Sequence, residues 1–191
     1  WFAEFILKSI KTNDRVKLIN FNDEVWVGNN FDWSRRRTLS AIEKNEYKSG
    51  KHTGAALYQS ITDLIHRPDR RCVVLITDGS VGEDSFRQYS TATIINYAKE
   101  HYIPIYIISI KNPDQEIVRI SAETGGKLIR PSEINSLRKI YSDIKSSEEY
   151  RYVLVYNTYK LPSFTGWWAD VKLEVKYKGQ IGHEWGGYFV P

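Results

Sequence analysis

The sequence predicts an α/β protein: a doubly wound, mostly parallel sheet followed by a small antiparallel C-terminal extension. Three observations point to it. Residues 72–76 and 103–110 are apolar at consecutive positions, as strands covered on both faces read. Segments with helical apolar spacing alternate with those runs, the pattern of a parallel sheet wrapped by helices. After residue 148 the pattern changes to strand after strand with no helix between them, so the expected division is residues 1–148 and 149–191.

The elements follow in order. Phe2, Phe5, Ile6 and Ile10 fall at helical spacing, and Thr12-Asn13-Asp14 ends the run. Val16, Leu18, Ile19 and Phe21 read as a strand, Asn22-Asp23 as a turn and Val25-Trp26-Val27 as a second strand, giving a hairpin over residues 15–28. A polar helix is expected over residues 34–46, a loop from Gly50 to Gly54, and then a helix with Leu57, Ile61, Leu64 and Ile65 on one face that stops before Pro68. Residues 85–101 read as a helix with Phe86, Tyr89, Ala92 and Ile95 on one side. Ile117, Ile120 and Ser121 fit a short helix that ends at Thr124-Gly125-Gly126, where glycine suits a helix stop. Residues 127–130 form a short strand, and Ser132 opens a last helix carrying Ile134, Leu137, Ile140, Tyr141 and Ile144. Residues 151–158, 170–177 and 181–189 alternate as strands.

Composition narrows the functional classes. The chain has 191 residues, 41% hydrophobic and 26% charged, enough for one sizeable core. Net charge is +4, but no dense Lys/Arg stripe accompanies it, so nucleic acid is not the expected partner. Arg35-Arg36-Arg37, the tightest basic run, reads as a solvated helix end. No apolar run has the length of a membrane span and no signal peptide is visible. The single cysteine, Cys72, forms no internal disulfide and reads as a small buried hydrophobe opening a strand. There is no methionine, and the sequence opens within a helical pattern, which suggests that it is part of a longer chain.

In open α/β sheets, ligands bind beyond the carboxyl ends of the strands. Val74-Leu75-Ile76-Thr77-Asp78-Gly79 ends a strand with a carboxylate and a glycine turn, and Gly50-Lys51-His52-Thr53-Gly54 leads into a helix on the same rim. Asp78 and Thr53 are therefore the leading candidates, with Lys51, His52, Ser80, Glu83 and Asp84 around them. Each has a plainer reading: Asp78 as a turn aspartate satisfied by backbone amides, Thr53 as a helix N-cap, and Asp84 with Ser85 as the start of the next helix. The histidines His52, His66, His101 and His183 show no metal-binding spacing, and Ser80 lies outside any G-x-S-x-G order. No paired carboxylates or Cys/His couple call for an enzyme. In the tail, Trp167, Trp168, Tyr177, Trp185, Tyr188 and Phe189 read as packing for a small sheet, with a platform for sugar rings as the alternative.

These motifs, in this order, resemble the von Willebrand factor A-type family. Asp14-Arg15-Val16 to Phe21 matches that family's "DRV…F" segment, Gly54-Ala55-Ala56-Leu57-Tyr58 its "GGTALYDAL" start, Leu75-Ile76-Thr77-Asp78-Gly79 its "LLTDG", and Thr124-Gly125-Gly126 its "TGG" turn. Tyr152-Val153-Leu154-Val155-Tyr156, the basic strand Lys172-Leu173-Glu174-Val175-Lys176 and terminal Gly187-Tyr188-Phe189-Val190-Pro191 resemble the tail of a bacterial branch of the family.

The resemblance implies a metal-ion-dependent adhesion site made of a DxSxS run on the first loop, a threonine on the second and an aspartate on the third. Asp78 corresponds to that aspartate, acting through water. Two departures stand out. The family's first strand and its DxSxS run are not in this sequence, and Ala55, which has no oxygen to donate, falls at the threonine position. Thr53 substitutes only if the loop is rearranged, and the Lys51 ammonium competes with a divalent cation. The expectation is a non-enzymatic protein-binding module, extracytoplasmic by resemblance, taking a protein ligand through an acidic side chain. Mg²⁺ dependence belongs to the intact protein, with no tightly bound metal in this chain. A scaffold with a degenerate metal site and a glycan binder acting through the Trp-rich tail are the alternatives.

Overall fold

A computed structural model describes residues 2–9, 14–31, 34–43, 50–67, 70–130 and 166–189. The chain divides into two compact units, Trp1–Tyr150 and Arg151–Pro191. The expected helix after Ser132 and the expected strand over residues 151–158 lie outside the described residues.

The first unit begins with helix α1 (Phe2–Ser9), then the hairpin β1 (Leu18–Phe21) and β2 (Val25–Asn29), and helix α2 (Arg35–Glu43). Helix α3 (Thr53–Ile65) leads to β3 (Val73–Thr77), α4 (Thr91–Glu100), β4 (Ile105–Ser109), α5 (Gln115–Glu123) and β5 (Leu128–Ile129). Strands β3, β4 and β5 form a parallel sheet in that order, with Val73 opposite Ile105, Thr77 opposite Ser109 and Ile107 opposite Leu128. The central strand β4 is buried along its whole length, which is why its sequence is apolar without alternation.

Helix α3 packs on both β1 and β3, α4 packs against α3 and α5, and α5 packs against β4 and β5. The core lies between these layers, with Leu57 and Ile61 of α3, Ile94, Ile95 and Ala98 of α4, and Ile117 and Ile120 of α5 on the apolar strands. Among the described residues β1 pairs only with β2, antiparallel, so the strands of this unit form two hydrogen-bonded sheets rather than one. The buried Asn29 side chain ties the hairpin to α2: its Oδ1 accepts from the Leu18 backbone amide at 2.5 Å and its Nδ2 donates to Thr38 Oγ1 at 2.5 Å.

Local chemistry accounts for the element ends. Helix α4 starts at Thr91, six residues later than Ser85, because Ser90 caps it by accepting from the Thr93 amide at 3.1 Å. Asp84 and Ser85 therefore do not open a helix. Ser85 is buried in the preceding turn, where its hydroxyl accepts from the Gly82 amide at 2.8 Å. Phe86 and Tyr89 still pack on the core, but from this turn. Thr53 is likewise not the N-cap of α3; His52 holds that position without a side-chain hydrogen bond, and Thr53 is the buried first helical residue. The far end of α3 is covered by Arg71, whose Nη1 donates to the Ile65 carbonyl at 2.7 Å. Cys72 is half-buried and precedes β3 rather than opening it.

At the end of α5, Thr124 Oγ1 donates to the Ile120 carbonyl at 2.6 Å and Gly125 takes a φ of +78°. Gly126 then passes so near β4 that a Cβ on it would lie 1.9 Å from the Ile105 carbonyl oxygen. The Thr124-Gly125-Gly126 run is thus a helix stop followed by a close backbone crossing.

The second unit shows an antiparallel ribbon of β6 (Trp168–Tyr177) and β7 (Gln180–Phe189), joined by Lys178 and Gly179 at φ +47° and +82°. Two left-handed residues are what a two-residue hairpin turn of the primed type needs. Contrary to the packing expected for the aromatic tail, Trp167, Trp168, Tyr177 and Trp185 are all more than half exposed. A two-stranded ribbon has two faces, and Ala169 is the buried apolar residue among the described part of this unit.

Candidate functional site

The site is assembled by two loops at the carboxyl end of β3. The loop before α3 is held on the hairpin turn: the His52 amide donates to the Asn22 carbonyl at 2.7 Å, and Gly50 passes where a Cβ would lie 2.3 Å from the Asp23 backbone. On its other side the Gly54 amide donates to the Ser85 carbonyl at 2.7 Å. These contacts aim the Lys51 side chain at the loop after β3.

That second loop turns at Gly79, which has a φ of +91° and no room for a Cβ beside Ser109 and Pro113. It is braced on the loop after β4. The Lys111 amide donates to the Asp78 carbonyl at 3.2 Å, the Asp114 amide to the Gly79 carbonyl at 2.9 Å, and the Val81 amide to Asp114 Oδ2 at 2.7 Å. Asp114 is not legible in the sequence as a site residue. It stands before α5 as any capping aspartate would, and only the fold turns its carboxylate toward Val81.

Asp78 is the centre of this arrangement. Lys51 Nζ donates to its two carboxylate oxygens at 2.8 and 3.1 Å, the Ser80 hydroxyl at 3.0 Å and the Ser80 amide at 3.1 Å. Lys51 Nζ also reaches the Ser80 hydroxyl. Partial burial on its own raises the Asp78 pKa, but the hydrogen bonds from Lys51 and from the amide and hydroxyl of Ser80, with the Lys51 charge, outweigh it and the net shift is downward. The backbone-satisfied reading of Asp78 therefore covers one of its hydrogen bonds, and side chains, chiefly the Lys51 ion pair, cover the rest. Because the folded pKa lies below the ordinary 3.8, the ionised form stabilises the fold above that value, and the contribution is lost as pH falls through the lower folded value. The stability difference between the wild type and Asp78→Asn should stay level from about pH 8 to about pH 5 and narrow below about pH 4. Urea midpoints measured across that range read it directly, and a difference that widens in acid would contradict it.

The other predicted residues divide. Lys51, Asp78 and Ser80 touch, while His52 and Asp84 line a neighbouring cleft of about 350 Å³ with Ala55, Ser85, Arg87 and Gln88. Glu83 is exposed on the turn beside that cleft. Thr53 is buried in the first turn of α3 and is not among the groups bonded to Asp78.

The donor set does not fit a divalent ion. Mg²⁺ takes six oxygens in near-octahedral array and is usually held by carboxylates with waters. Here the carboxylate is already engaged by an ammonium, and Ala55 offers no oxygen. Among the described residues no three His, Cys, Asp or Glu side chains gather closely enough to hold a metal. The same ion pair bears on catalysis: an ammonium engaged by a carboxylate has no lone pair with which to take a proton from Ser80.

Comparison with known proteins bears on the fold and the family. The family model of the von Willebrand factor type A domain matches residues 2–143. Among solved structures, the conserved hypothetical protein BatB from Bacteroides thetaiotaomicron superposes with a TM-score of 0.55 at 14% identity, over 75% of this chain and 85% of that one. A von Willebrand factor type A protein from Catenulispora acidiphila gives 0.60 at 15% identity, over 74% and 36% of the two chains. Proximal thread matrix protein 1 from the mussel byssus, with zinc in its MIDAS motif, gives 0.58 at 18% identity, over 75% and 38%. No curated protein matches the sequence. At these identities the structural likeness speaks for the fold, and the family model, which spans most of the sequence, identifies the chain as a member of the von Willebrand factor type A domain family.

Proposed function

We propose that this chain is a non-enzymatic protein-binding module whose binding face is the rim formed by Lys51, His52, Ser80, Glu83 and Asp84 around Asp78, and that it works in an extracytoplasmic setting. Domains of this family are generally interaction modules, which supports the class. The observation that carries the reading is the convergence of two braced loops on Asp78 at the carboxyl end of a parallel strand, the position where open α/β sheets bind their ligands. The extracytoplasmic setting draws on a similar structure described as an aerotolerance-related membrane protein from Bacteroides fragilis. Among the described residues, no helix of this chain is long and apolar enough to cross a membrane.

A photo-crosslinking residue at Glu83 in the protein expressed in its own cells tests this. Discrete protein adducts are expected there, lost when Lys51→Glu reverses the charge of the rim. None are expected from the same probe at Lys99, near the opposite end of the sheet. Equal adducts from both positions, or none from Glu83, would overturn the proposal.

A second reading rests on a separate observation. Trp167, Trp168 and Trp185 are 64%, 52% and 63% exposed, as a platform for sugar rings requires. Quenching of tryptophan fluorescence by soluble oligosaccharides, abolished by Trp185→Ala, is the expected result. Unchanged fluorescence across a panel of neutral and acidic oligosaccharides would remove the reading.

A further inference from the structure

We infer that the Lys51 ammonium is the built-in cation of this rim, standing at the third-loop carboxylate in place of a divalent ion. Three features point to it. Lys51 Nζ spans both oxygens of Asp78, at 2.8 and 3.1 Å, so each carboxylate oxygen already accepts from a cation. It also reaches the Ser80 hydroxyl, which in turn donates to Asp78, so the three side chains form a closed set. Finally, the ammonium is held rather than wandering. The flanking His52 and Gly54 amides pin its loop to Asn22 and Ser85, and the Lys51 and Asp78 side chains are only 32% and 37% exposed.

The chemistry follows. A lysine ammonium has three donors and unit charge, enough to engage two carboxylate oxygens and one hydroxyl. A second cation competes for the same lone pairs against a charge tethered within the chain, which is always present at high local concentration. The rim therefore neutralises its carboxylate from within the chain, without dependence on free metal. This exclusion of metal does not rest on the proposed function above.

The test uses the full chain and its Lys51→Met variant, which keeps the apolar stem and loses the charge. Mn²⁺ is followed by electron paramagnetic resonance and Mg²⁺ by calorimetry and thermal shift. The wild type is expected to show no saturable binding, with melting unchanged between excess Mg²⁺ and a chelator. Lys51→Met is expected to gain affinity for Mn²⁺ by at least about tenfold, because the repelling charge is gone. Asp78→Asn added to Lys51→Met should remove that gain, and Lys51→Arg should preserve the exclusion. Saturable Mg²⁺ or Mn²⁺ binding by the wild type that requires Asp78 would overturn the inference. So would a Lys51→Met variant, folded by circular dichroism, that binds Mn²⁺ no better than the wild type. If metal exclusion holds and the Glu83 crosslink is absent, the interaction reading fails while this one stands.

Discussion

Replacing Ile107 by alanine is expected to cost about 2–5 kcal/mol, a large share of what holds a domain of this size together. Ile107 lies in the middle of the central strand, paired with Leu75 on one side and Leu128 on the other, and its side chain is fully buried. Truncation removes the transfer free energy of the lost methyl and methylene groups and leaves a cavity that two flanking strands and the helices over them cannot collapse into. The urea midpoint should fall with the slope unchanged. Ile110, one residue past the end of the strand and 49% exposed, is the control, and alanine there should change stability by less than about 0.5 kcal/mol. Equal effects at the two positions would show that the parallel sheet is not the centre of the core.

Replacing Gly79 by alanine should destabilise the protein by about 2–5 kcal/mol and dismantle the rim. The position combines two costs. A φ of +91° disfavours any side chain by about 1–2 kcal/mol. The added Cβ would also lie 2.9 Å from Pro113 Cα, on a loop that is itself tied back to the Gly79 carbonyl, and overpacking of that kind costs about 1–3 kcal/mol. Gly125 separates the two costs. Its φ is +78°, but nothing lies within 4 Å of where its Cβ would stand, so Gly125→Ala should show the backbone cost alone. A Gly79→Ala variant no less stable than Gly125→Ala would mean that the loops after β3 and β4 are not braced against each other. Because Asp78 is adjacent, the chemical shift of the Lys51 ammonium should also move in Gly79→Ala and stay put in Gly125→Ala.

Much of the fold is legible because burial writes itself into the sequence at short range. A strand covered on both faces needs apolar residues at every position, and β4 announces itself that way. The apolar spacing of Leu57 and Ile61 marks a face of α3, and the glycines after Thr124 mark the end of α5. Helix α4 begins later than its periodicity suggests, for an equally local reason. Phe86 and Tyr89 sit at helical spacing from Ala92, yet they reach the core from a turn, and the cap is Ser90. Periodicity reports that side chains share a side of the backbone, and an irregular turn beside a helix can satisfy the same condition. The tail aromatics depart from expectation because a hydrophobic side chain signals burial only if a second layer lies over it.

By itself the sequence determined the order of strands and helices among the described residues, the family, and that a carboxylate stands at the carboxyl end of β3. These are properties of neighbouring residues, set by burial period and by backbone stereochemistry. Only the tertiary structure decided what Asp78 is bonded to. Lys51 lies 27 positions earlier in the chain, and a flexible four-carbon stem leaves no trace in the sequence of where its ammonium comes to rest. That position depends on the hairpin turn holding the His52 amide and on the loop after β4 holding Gly79 and Val81, and contacts between segments so far apart exist only once the sheet and helices have packed.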